Sequence, residues 1–112
     1  MYYTEIINDN SIFCRLYRTG KKIFSDNAVI YYRKNKSAFN RLGITAGKKV
    51  GNSVCRNRAK RVIRQAYREN ELLLPTGFDI VIVARSSICN IKSQIFSEYI
   101  RKALISALEK EI

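Results

Sequence analysis

The chain is expected to fold as an α+β sandwich, with helices packed on a mixed β-sheet, and three observations predict it. Stretches with the 3.6-residue apolar period of helices interleave with short β-branched and aromatic runs, in the order helix, strand, strand, helix, strand, helix. One of those runs, Ile80–Ala84, is apolar at every position, as a central strand covered on both sides must be. The 112 residues are 46% hydrophobic, with five Gly and one Pro, which suits one buried core and is too little for two. Residues 1–112 are therefore read as a single domain.

The first helix starts at Asp9 or Asn10, whose side-chain oxygens can accept from free first-turn amides, and runs to about Thr19 before a stop at Gly20. Phe13, Leu16 and Tyr17, at i, i+3 and i+4, give it an aromatic face. Ala28–Arg33 has strand composition, with Val29 and Tyr31 on one face and Ala28, Ile30 and Tyr32 on the other. Polar Lys34–Asn40 is expected to be the hairpin connection to a second strand, Arg41–Gly47. There Leu42, Ile44 and Ala46 point one way, while Gly43, Thr45 and Gly47 leave the opposite face nearly bare. A bare face admits a nucleotide chain or a closely packed helix. A helix over Asn52–Asn70 follows, capped by Asn52 or Ser53 after a corner at Gly51. Beyond a loop with Pro75 and Gly77 comes the apolar strand. The last helix starts at about Asn90 and buries Ile95, Phe96, Tyr99, Ile100, Ala103, Leu104 and Leu108.

The helix over Asn52–Asn70 carries the functional signal. On a helical wheel Cys55, Ala59, Val62, Ile63 and Ala66 share one arc. Arg58, Lys60, Arg61, Arg64 and Arg68 take the other, with Asn57 among them and Arg56 at the border. From Arg41 to Arg68 there are nine basic side chains and no acid. A merely solvated face mixes signs, because i,i+4 ion pairs stabilise a helix and like charges destabilise it. A one-sign stripe is explained when a polyanion neutralises it. Lys48, Lys49, Arg56 and the amides near Asn52 can together receive a phosphate at the helix start. The whole chain agrees: 21 Lys and Arg oppose 9 acids, a net charge of +12, which is the footprint of a nucleic-acid binder.

Composition also excludes classes. There is no His, so the commonest general base, the commonest metal ligand and the Ser-His and Cys-His nucleophile pairs are absent. Cys14, Cys55 and Cys89 are odd in number and widely spaced, which points to reduced thiols in a cytoplasmic setting. Asp9, Asp26, Asp79 and the Glu residues read as caps and solvated surface, leaving neither a catalytic carboxylate pair nor a metal site. No segment reaches the ~20 apolar residues of a spanning helix, so no membrane partner is expected. The start, Met1 to Glu5, lacks the basic and apolar regions of a signal peptide.

The run from Arg41 to Tyr67, centred on Arg56-Asn57-Arg58, closely resembles the signature of the bacterial ribonuclease P protein subunit. The similarity extends from the Phe13 and Tyr17 helix through Tyr31 to the strand at Asp79–Arg85. It implies a small subunit that binds a catalytic RNA and the 5′ leader of precursor tRNA, and so promotes endonucleolytic removal of the leader. Within that family the RNA and its magnesium ions perform the hydrolysis, so the protein would carry no catalytic residue and need no obligate protein partner. The resemblance further implies an uncommon left-handed crossover between parallel strands through the basic helix, opposite to the general rule.

The resemblance matches Phe13, Tyr17 and Tyr31 to the aromatics of a leader-binding cleft, and the helical wheel adds Arg56, Asn57, Lys60 and Arg64, which cluster along one border of the helix. Lys48, Lys49, Asn52, Arg58, Arg61 and Arg68 are left for the catalytic RNA. By spacing alone, Phe13 and Tyr17 read as plain core and not as a cleft. Two departures from the family pattern are Tyr17, where Phe is usual, and a stretch from Tyr2 to Ile7 with no cation where relatives are often basic. The rival reading is a ribosomal or other structural RNA-binding protein with no processing role, which would share the charge and size.

Overall fold

The computed structural model describes residues 3–112. Its elements are β1 (Thr4–Ile6), α1 (Asn10–Thr19), β2 (Lys21–Phe24), β3 (Ala28–Lys34), β4 (Asn40–Thr45), α2 (Ser53–Asn70), β5 (Phe78–Ala84), α3 (Ser93–Tyr99) and α4 (Ile105–Glu109). Met1 and Tyr2, which belong to the stretches read above as free of a targeting signal and of cations, lie outside the described residues.

The strands form one mixed sheet in the order β1-β4-β5-β3-β2. β5 takes the centre because it alone is apolar on both faces: Ile80, Val81 and Ile82 are fully enclosed. It pairs antiparallel with β3 from Ala28↔Ala84 to Lys34↔Phe78, and parallel with β4 from Arg41↔Asp79 to Thr45↔Val83. This overturns the expected hairpin between Ala28–Arg33 and Arg41–Gly47, since β5 lies between β3 and β4. The 35–39 segment instead passes the end of β5, where Asn35 N–H donates to the Gly77 carbonyl at 2.9 Å. The hairpin of this fold joins β2 to β3, with Ser25 Oγ accepting from the Asn27 and Ala28 amides.

Two strands were not anticipated, β1 and β2. Both are short edge strands, parallel to β4 and antiparallel to β3 respectively, and the lysines that open β2 hide it from a hydrophobicity reading while protecting the edge. The α+β sandwich stands, with the element order extended at its amino end.

The sheet separates two cores. On one face α2 and the carboxy-terminal helices cover Ala28, Ile30, Leu42, Ile80 and Ile82 with Ala59, Ile63, Ala66, Tyr67, Phe96 and Leu104. On the other, α1 sets Leu16 over Val81, with Ile7, Phe13 and Tyr31 around them. α1 begins at Asp9, whose carboxylate accepts from the Ser11 amide at 2.9 Å, a bond that holds its pKa below the usual carboxylate range.

The end of the chain corrects two details. Helix starts at Ser93 and not Asn90, and Ile95, expected inside, is 55% exposed. Phe96, Ile100, Leu104 and Leu108 are buried at every fourth residue, a spacing that drifts about 40° per step on a 3.6-residue helix. A π-helical turn over Ile100–Leu104, between α3 and α4, widens the spiral and keeps the four in line.

Asp79 is also corrected. It is 4% exposed, and its two carboxylate oxygens accept from Arg41 Nε at 2.6 Å and Arg41 Nη2 at 2.8 Å, with Asn35 Nδ2 donating at 3.0 Å. It is a buried link between β4, β5 and the 35–39 segment and not solvated surface.

Candidate nucleic-acid interface

Asn52 caps α2, its Oδ1 accepting from the Cys55 amide at 3.0 Å. Before it, Gly51 adopts φ 140°, a value that a residue with a side chain rarely takes. A 3₁₀ turn at Lys48–Val50 leaves Lys48 and Lys49 exposed and buries Val50, so two cations stand just ahead of the first turn of α2. Ala59, Val62, Ile63 and Ala66 turn inward as expected, joined by Tyr67 and Asn70, whereas Cys55 is only half-buried. Tyr67 reaches the sheet edge, its hydroxyl 2.9 Å from Thr4 Oγ1, and burial pushes its phenol up to about 12.

The inward face fixes the two flanks of the cationic stripe. On the flank toward α3, Arg58, Arg61, Arg64 and Arg68 line an open cleft of about 520 Å³ with Gln65, Lys92 and Gln94. Arg58 Nε donates to the Cys89 carbonyl at 2.8 Å, which steadies that side chain. Five cations and no acid border this cleft. On the flank toward β1, Arg64 and Arg68 also border a second hollow of about 350 Å³ beside Thr4 and Ile6. Arg58, Arg61 and Arg68, grouped from the wheel, are thus brought together. Arg64, grouped with Arg56, Asn57 and Lys60, touches both hollows. Asn57 is exposed and Lys60 half-buried, while the Arg56 Nε is enclosed without a protein partner. Among the described residues the ion pairs are Lys21–Glu111 and Arg41–Asp79, and neither uses a cation of α2.

The three aromatics form a row on the other face of the sheet. Phe13 and Tyr17 have centroids 6.4 Å apart, and Tyr17 meets Tyr31 edge-on at 5.0 Å. Lys22, opposite Tyr31 across the β2–β3 pair, places Nζ 5.6 Å from that ring's centre. Tyr17 is 39% exposed, with its phenol pushed up by burial and drawn down by a bond to Thr45. The leader residues named from sequence therefore stand on two faces of the sheet. What relates them is connectivity: Tyr17 lies against Thr45, the end of β4 from which the chain runs through Lys48 and Lys49 into α2.

Gly43 answers the question left by the bare face of β4. A Cβ there would stand 2.6 Å from two carbons of the Phe13 ring, so the space is filled by α1. Phe13 is half-buried, packed against the second core. Gly43→Ala is expected to cost about 1–3 kcal/mol through overpacking, seen as a lower midpoint in urea unfolding with an unchanged slope. A neutral result would mean that Phe13 is free to move away.

Lys22, Lys92, Gln65 and Gln94 were not picked out from the sequence. Lys22 depends on a strand hidden by its lysines, and the other three on how α3 docks beside α2. Among the described residues no three His, Cys, Asp or Glu side chains gather as a metal-binding group, and no helix is long and apolar enough to cross a membrane.

Known proteins place this architecture. Residues 1–108 match the family model described as Ribonuclease P. The ribonuclease P protein component of Lachnoclostridium phytofermentans is 45% identical over 83 residues, which cover 74% of this chain and 72% of that one. That of Clostridium botulinum is 42% identical over 105 residues, 93% and 91% of the two chains. Among solved structures, the Staphylococcus aureus RNase P protein aligns with a TM-score of 0.77 at 29% identity, covering 96% of both chains. The Thermotoga maritima protein gives 0.77 at 28%, covering 95% of this chain and 96% of that one.

Proposed function

The chain belongs to the bacterial ribonuclease P protein family and is a protein component of that tRNA-processing ribonuclease, and we propose that it works by gripping two RNAs while a partner RNA cuts. The observation that carries this reading is the acid-free cleft between α2 and α3, which holds Arg58, Arg61, Arg64, Arg68 and Lys92 where the phosphates of a catalytic RNA can neutralise them. Lys48 and Lys49, ahead of the α2 cap, extend the same field, and Asn52 offers its amide group because its oxygen is occupied by the cap.

The 5′ leader of precursor tRNA is assigned to the end of the sheet shared by Tyr17, Tyr31 and the amino end of α2. Bases stack on exposed rings at about 1–3 kcal/mol each without a demand for sequence, which suits a leader that varies between substrates. Lys22 above Tyr31 and Arg56, Asn57 and Lys60 along α2 supply countercharge and hydrogen bonds to its backbone, while Arg64, first grouped with them, stands in the α2–α3 cleft with the catalytic RNA. Magnesium ions would be held by the partner RNA and would supply the charge stabilisation that phosphodiester hydrolysis needs. The protein's own part is to hold, to orient and to lower the repulsion between two polyanions. No finding favours the ribosomal alternative.

Tyr17→Ala or Tyr31→Ala is expected to weaken binding of precursor tRNA by the assembled enzyme about 5- to 150-fold, one stacked base, and to leave mature tRNA binding unchanged. Equal losses for both substrates would contradict the leader assignment.

A further inference from the structure

We propose that Cys55 and Cys89 are the site of a reversible disulfide that staples the first turn of α2 to the 3₁₀ turn ahead of α3. The two residues are 34 positions apart, yet the Cys89 Sγ–H donates to the Cys55 carbonyl at 3.2 Å. Arg58 Nε, one turn further along α2, donates to the Cys89 carbonyl at 2.8 Å, so Cys89 is tied to α2 through both its side chain and its backbone. Burial pushes the Cys89 thiol up and its interaction with Cys55 pushes it the same way, against the pull of Arg58. Cys55 Sγ lies beside Gly51, 3.3 Å from where a Cβ would stand there, and a turn of its side chain toward Cys89 is what a bond of ~2 Å between the sulfurs requires.

Both residues are half-buried, which leaves a path for a small oxidant. Cys14 is different: it is exposed on α1, across the sheet from α2. With a low-molecular-weight disulfide as oxidant, one thiolate of the pair attacks a sulfur of the reagent, forming a mixed disulfide and releasing one small thiol. The second protein thiolate then displaces the other small thiol and closes the Cys55–Cys89 bond. Two protein thiols are oxidised and one reagent disulfide is reduced to two thiols. The bridge encloses the rest of α2 and all of β5, so it restrains the unfolded chain and holds the turn that presents Arg56, Asn57 and Arg58. It is independent of which RNA those residues meet.

The test uses the full chain with Cys14→Ser, treated with oxidised glutathione at neutral pH, quenched in acid and weighed intact. The expected product has lost two hydrogens, carries no glutathione, reverts with dithiothreitol and unfolds at higher urea than the reduced form. Cys14→Ser with Cys55→Ser, or with Cys89→Ser, should instead retain one glutathione. Peptide mapping of the oxidised natural chain should recover Cys55 linked to Cys89. The proposal is overturned if the Cys14→Ser chain stays reduced, holds two glutathiones, links to a second copy, or unfolds more readily once bridged.

Discussion

Replacing Arg58, Arg61 and Arg68 together by Ala is expected to lower affinity for ribonuclease P RNA by several hundred-fold at about 0.1 M monovalent salt. Each phosphate neutralised on a structured RNA adds about 0.9 to the slope of log affinity against log salt, so three lost contacts remove roughly 2.7 from that slope. The natural chain, engaging six or more phosphates, should lose about 1,000-fold between 50 and 200 mM salt, and the triple variant far less. The fold should survive, because all three side chains are exposed and the one internal bond at stake, Arg58 Nε to the Cys89 carbonyl, is worth about 1 kcal/mol. Filter binding across a salt series separates the outcomes. A weaker complex with an unchanged slope would show that these arginines act through packing and not through phosphate.

Asp79→Ala is expected to destabilise the chain by about 3 kcal/mol. Removing one member of a buried ion pair costs about 3–5 kcal/mol. The lower end applies here because the Arg41 side chain keeps 32% of its surface in water and can be partly rehydrated, while Asp79 keeps 5%. The same change strips Asn35 of its link to β5 and so loosens the crossing between β3 and β4. In calorimetry the unfolding midpoint should fall by roughly 10–20 °C. Asp79→Asn, which retains one acceptor, should fall less. A shift of a degree or two would mean that Arg41 is as well served by solvent as by Asp79.

What the sequence disclosed and what it hid follow the same physics. α2 was legible because its two faces differ in kind, apolar against cationic, and because Asn52 is both a cap residue and the first residue after a glycine corner. β5 was legible because both its faces are apolar. The strand order was not, since Lys34–Asn40 has the polar composition of a hairpin turn and nothing local reveals that β5, arriving thirty-eight residues after Asn40, takes the place between β3 and β4. Asp79 was misread for the same reason: its partner Arg41 is distant in sequence and becomes adjacent only through the parallel β4–β5 pairing. Among the candidate site residues, Arg58, Arg61 and Arg68 share one cleft as the wheel placed them, but Arg64, grouped with Arg56, Asn57 and Lys60, lines that cleft too. The relation of Phe13, Tyr17 and Tyr31 to Arg56 and Lys60 depends on which face of the sheet each helix covers, and no spacing rule carries that.

The site is therefore electrostatic and aromatic in kind: it offers donors, cations and ring faces. Phosphoryl-transfer chemistry calls for a positioned nucleophile and stabilisation of developing charge, and in this account both come with the RNA. Cleavage of precursor tRNA, measured in parallel for the purified chain alone, for ribonuclease P RNA alone at low magnesium, and for the two mixed, tests this most directly. Correct leader removal is expected only on mixing. Cleavage by the isolated chain, rigorously freed of nucleic acid, would contradict it.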